Sequence, residues 1–152
     1  MFAAFVALSL TAPTADPPKE KELPEAAQKD LKKLEGKWKA VKVVANEEEE
    51  TPTRDGTDIF VTFKAHKVTI EGVNSFQITE IDPTTDPKVI DFKALEDKSG
   101  ITKDTVYEAI YKLDGETLTI AVYIGAGNKR PQKFESPKDS SIMVITLKRT
   151  KE

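Results

Sequence analysis

An all-β fold, an eight-stranded up-and-down antiparallel barrel with one short N-terminal helix, is predicted by three observations. Gly36-Lys37-Trp38 opens the first of eight segments of alternating apolar residues, and Arg149 closes the last. These segments follow one another in chain order with turn signals between them, the pattern of a β-meander. Eight is also the number at which a sheet can close on itself, lose both edges, and have its interior filled by side chains or by one small ligand.

The elements follow in order. Met1 to Ala15 carries no charged side chain, and its run Phe2 to Leu10 has the length of a signal peptide and is too short to span a bilayer. Residues 16–22 are rich in proline and charge and read as a linker after a cleavage site. The barrel domain is expected over 23–152. Leu23, Ala27, Leu31 and Leu34 recur at helical spacing and predict a helix over 24–35, with Gly36 as its left-handed C-cap. In the first strand Trp38 and Val41 cannot share a face without a bulge. Ile59, Val61 and Phe63 alternate, and so do Val68 and Ile70 after the corner at 64–67. Phe76 and Ile78, then Ile90 and Phe92, mark two further strands either side of a turn held by Asp82-Pro83 and Asp86-Pro87. Tyr107, Ala109, Tyr111 and Leu113 share one face of the sixth strand. Asp114-Gly115 is a hairpin signal, because a type I′ turn needs positive φ at both central residues. Leu118, Ile120 and Val122 alternate on the seventh strand, and Met143, Ile145, Leu147 and Arg149 on the eighth.

Composition narrows the function classes. The chain has 152 residues, one domain's worth, with 23 basic and 26 acidic side chains and a net charge of −3. That balance argues against a nucleic-acid surface. With no cysteine there is no disulfide, no thiolate metal site, no cysteine nucleophile and no lipid-modified cysteine. Core packing alone must hold the fold, and no membrane span is expected.

Connection lengths orient the barrel. Asn46–Gly56, Ala94–Asp104 and Gly125–Ser140 are long and should share one rim; the shorter corners should share the other with Trp38. Glu71-Gly72 is the exception, a tight corner on the long-loop rim.

Gly36-Lys37-Trp38 with Arg149 resembles the lipocalin-like, or calycin, pattern, in which the arginine stacks across the tryptophan at the closed end. A longer set of motifs runs from Leu34 to Lys148 and onto Arg149: Leu34-Glu-Gly-Lys-Trp38, Ile81-Asp-Pro-Thr84, Pro87-Lys-Val-Ile-Asp91, Tyr111-Lys-Leu-Asp-Gly-Glu-Thr-Leu118, Arg130-Pro131 with Phe134, and Leu147-Lys-Arg149. In that order they resemble an uncharacterised lipocalin-like domain family expanded in planctomycete bacteria. Ala65-His66 and the Glu47–Glu50 run depart from it. The resemblance implies the barrel and export to the periplasm or medium, and carries no reaction.

No set of residues spells out catalysis, so the protein is expected not to be an enzyme and to need no cofactor. The one histidine, His66, sits at a hairpin corner and reads as a solvated turn residue. Glu80, Asp82 and Asp86 crowd a turn, but turn chemistry explains them and no metal site is assigned. Glu47–Glu50 reads as a solvated run in a rim loop. Four residues are candidates for ligand contact. Tyr107 and Tyr111 would offer hydroxyls inside the barrel, and Arg130 and Phe134 would fold a polar loop back over the opening. Trp38 and Arg149 are assigned the closed floor. The expected function is non-enzymatic binding of a small hydrophobic ligand or of a protein or envelope partner at the long-loop rim. The alternative is a filled barrel that acts only as an interaction or structural module.

Overall fold

The computed structural model describes residues 23–127 and 129–151. The expected signal peptide over 1–15 and linker over 16–22 lie outside them. One helix, α1 (Glu25–Leu34), precedes β1 (Gly36–Ala45), β2 (Glu48–Glu50), β3 (Thr53–Arg54), β4 (Thr57–Asp58), β5 (Phe60–Lys64), β6 (Lys67–Ile70), β7 (Asn74–Asp82), β8 (Lys88–Ala94), β9 (Val106–Asp114), β10 (Thr117–Tyr123) and β11 (Ile142–Arg149). β1 and β5 to β11 are the eight staves. Each pairs antiparallel with the next, and β11 pairs back onto β1 to close the barrel. The first long loop is itself folded: β2 pads the upper half of β1, and β3 and β4 form a small separate hairpin.

Alternation decides what fills the interior. Trp38, Phe63, Ile78, Ile90, Tyr111, Leu118 and Leu147 are 3% exposed or less, and Phe76 and Phe92 are nearly as buried. In β1 the register with β11 slips between Ala40 and Lys42, so Val41 is the bulged residue that the parity of Trp38 and Val41 demands. A second slip separates Ile78 from Glu80 in β7 and returns Ile81 to the interior.

The floor is built around Trp38, whose direct cross-strand partner is Arg149. The guanidinium carbon lies 4.2 Å from the centroid of the Trp38 ring. A cation over an indole in such a site contributes ~0.5–2 kcal/mol. Arg149 Nη1 also donates to Glu35 O at 2.7 Å and Nη2 to Lys33 O, while Trp38 Nε1 donates to Leu34 O at 2.8 Å. These three donors satisfy carbonyls that the end of α1 leaves unpaired.

Gly36 has a different role from the expected left-handed cap. The residue flanking the helix is Glu35, with extended backbone, and Gly36 follows at φ +126°, a region closed to other residues. A Cβ on Gly36 would stand 2.9 Å from Arg149 Nη1. The glycine therefore lets the arginine pass from the last stave onto the helix end.

α1 lies across this floor with Ala27, Asp30, Leu31 and Leu34 buried. Burial of each leucine contributes about 1.5–3 kcal/mol. Asp30 is a charge on the inward face. Its Oδ2 accepts from Tyr111 Oη at 2.7 Å and from Lys88 Nζ at 3.0 Å.

Candidate functional site

Binding could take place at the mouth, on the outer wall or at the floor, and the sequence-predicted contact residues are spread over all three. At the mouth, the loop between β8 and β9 is tied down by Asn74. This buried amide donates to Glu96 O at 3.0 Å and Lys98 O at 3.3 Å, and its own oxygen accepts from Ser75 N. Lys98 and Ile101 exchange two backbone bonds of 3.0 Å, and the Ile101 side chain packs onto the core. The loop thus inserts an apolar residue at the opening. Tyr107 stands beside it, its ring edge-on to Phe76 with centroids 6.1 Å apart. Its hydroxyl has no hydrogen bond to a described residue. Val106 and Ile124, the large apolar side chains most exposed among the described residues, lie at the neighbouring ends of β9 and β10.

Tyr111 is on the same stave but at the other end of the barrel. It is 1% exposed and its hydroxyl is used by Asp30. Burial, and then the hydrogen bond to that carboxylate, push the phenol well above its ordinary value. For Asp30, burial works to raise the carboxyl, but the bonds from Tyr111 and Lys88 outweigh it and hold the carboxyl below the usual value. Tyr111 is part of a clasp between barrel and helix.

Arg130 and Phe134 are on the outer wall. Residues 129–141 run as a strap against the outside of the sheet, so the expectation that this loop folds over the opening is corrected. Its reason is a second apolar cluster: Ile110, Ala121 and Val144 face outward and are 6% exposed or less, with Phe134, Val44 and Ile142 packed around them. Pro131 is fully buried, and Lys112 Nζ sits 4.9 Å from the Phe134 ring centroid. Arg130 forks onto Asp91 at 2.6 and 3.1 Å and also donates to Ala109 O at 2.8 Å. Burial disfavours the Arg130 charge, but Asp91, with smaller help from Glu108 and Glu80, raises the guanidinium above its ordinary value. Ser136 pins the far end of the strap, accepting from Asn46 N and donating to Ile142 O.

A hollow of about 1040 Å³ lies at the floor. It is an open groove between α1 and β7. Leu23, Leu31, Ile78 and Ile81 supply apolar surface, Gln28, Lys32, Glu35, Gln77, Glu80 and Lys93 a polar lip, and the Ala65-His66 corner one end. It arises because β7 continues past that corner to Asp82, so the wall is open on one side below β6. The rim expectation pointed away from this end of the molecule.

Among the described residues no three His, Cys, Asp or Glu side chains converge as metal ligands, and no helix is long and apolar enough to cross a membrane. Asp82 is engaged by Thr84, whose backbone N–H and hydroxyl donate to its Oδ1 at 2.9 and 2.6 Å and lower its carboxyl. Compared with protein-family profiles, curated proteins and solved structures, the chain shows no match, and its assignment rests on its own closed, calycin-like barrel.

Proposed function

We propose that the protein is an exported, non-enzymatic binding module whose filled barrel is a rigid scaffold and whose outer surface meets a macromolecular partner. The observation that carries this reading is the occupied lumen. Trp38, Tyr111, Ile90 and Leu118 are at most 1% exposed, α1 covers the floor, and Ile101 packs inward at the mouth. A ligand inside would have to displace packed side chains, whereas loops, strap and groove are open to contact. Export is supported by the uncharged stretch Met1 to Ala15.

A second reading, a small apolar ligand held at the mouth, is favoured by Tyr107, whose ring packs on Phe76 at the rim and whose hydroxyl has no described partner. Native mass spectrometry of protein isolated from its own host, combined with lysine cross-linking, separates the two. The scaffold reading expects no stoichiometric small molecule and cross-links to a macromolecule. A stoichiometric apolar adduct that raises Tm would replace it with the mouth reading.

A further inference from the structure

Among the described residues, the floor groove leaves one strand edge unpaired. Ile78 N–H donates to His66 O at 2.7 Å, the last bond between β7 and the β5–β6 side. Beyond it β7 is paired to β8 alone. The direction of its peptide groups follows from alternation along β8. Leu95 N–H bonds Ser75 O, while Ala94 bonds Thr105 and Asp104, so odd residues of β8 face β7 and even ones face β9. In the register Glu80 to Asp91, Ile81 to Ile90 and Asp82 to Val89, Glu80 and Asp82 then take the ladder bonds. The N–H and C=O of Ile81 turn the other way, toward the groove, as does the C=O of Ile78. Among the described residues neither Ile81 group has a hydrogen-bond partner on that side, so both meet the open groove as an unpaired strand edge. Such an edge is a template for pairing with another chain.

We propose that an extended segment of a partner protein docks in this groove as an added strand. Its backbone pairs with Ile81 and the Ile78 carbonyl, and alternate apolar side chains rest on Leu23 and Leu31. This deepens the binding-module reading and rests on it. The donor and acceptor of one strand residue are what a peptide backbone satisfies and an acyl chain cannot. The lip balances Lys32 and Lys93 against Glu35 and Glu80, which favours apolar side chains over a charged ligand.

The probe is a capped heptapeptide of alternating valine and threonine, titrated to millimolar concentration into the full chain and followed by amide NMR and hydrogen exchange. Two further copies carry N-methyl groups on one or the other set of alternate residues. Shifts centred on Ile78 to Ile81, an exchange rate at Ile81 at least tenfold slower, and loss of binding with only one methylated copy are expected. Lys32→Trp, on the exposed helix face, should fill the groove and abolish these shifts with Tm unchanged, while Gln132→Trp on the strap should leave them intact. Silence at Ile81, equal binding of both methylated copies, or contacts to Ile81 from chain before Leu23 without peptide would each overturn the proposal. Shifts confined to Ile101 and Tyr107 overturn the groove alone and leave the binding-module reading standing.

Discussion

Tyr111 on β9 donates to Asp30 on α1 at 2.7 Å, and this bond joins the barrel to its floor helix across 81 residues of sequence. Tyr111→Phe should cost about 1.5–3 kcal/mol, the range for a hydrogen bond to a charged group. Asp30→Asn should cost a similar amount, and the double variant less than the sum, because the two remove one interaction. Urea unfolding of the four proteins measures this; strict additivity would mean that the clasp is not a unit.

The same clasp should shape the pH dependence of stability. Asp30 is held below its ordinary value in the folded state, so the unfolded chain binds the proton first as pH falls. Its contribution is therefore full above about pH 4 and is lost as pH drops through the folded value. Tyr111 is raised, so its contribution is full below about pH 10 and fades as pH climbs beyond it. Unfolding midpoints against pH should show both limbs, and Asp30→Asn should flatten the acid one.

Trp38 is the only tryptophan and is wholly buried, which makes its fluorescence a reporter of the floor. Emission should be blue-shifted and poorly quenched by acrylamide. Trp38→Ala should cost ~3–5 kcal/mol. Gly36→Ala should also destabilise, by at least about 1 kcal/mol, because the backbone is at φ +126° and Arg149 blocks the added methyl. Chemical denaturation decides both.

Arg130 is the latch of the strap. Arg130→Met leaves Asp91 buried without its partner and should cost about 3–5 kcal/mol, with trypsin cutting faster at Lys129 and Lys133. Adding Asp91→Leu should recover much of the loss, since the stranded charge is gone. If the single variant resists trypsin like the parent, the strap is held by Phe134 and Pro131 instead.

The staves were legible because inward residues alternate, and even the bulge at Val41 follows from its parity against Trp38. The strap was not, because Arg130 and Phe134 read as loop residues without a visible surface to cover. A signal for that surface does exist. Ala109-Ile-Tyr111, Ile120-Ala-Val122 and Met143-Val-Ile145 are unbroken apolar runs, the pattern of strands buried on both faces. Asp30 carries no local signal, because a carboxylate among lysines reads as solvated, although it sits in helical phase with Ala27 and Leu34. Ile101 and Asn74 depend on a loop conformation that no local pattern encodes. The groove follows from β7 outrunning β6, a difference in strand length set by tertiary pairing.

The seam between Trp38 and Arg149 also carries a kinetic consequence. Arg149 caps Glu35 across 114 residues, so the sheet remains a ribbon with two bare edges until its final stave exists. Contacts so distant in sequence make folding slow and late. For a chain proposed to cross a membrane first, that delay is useful: it keeps the polypeptide threadable, and the ring snaps shut only after the last strand arrives.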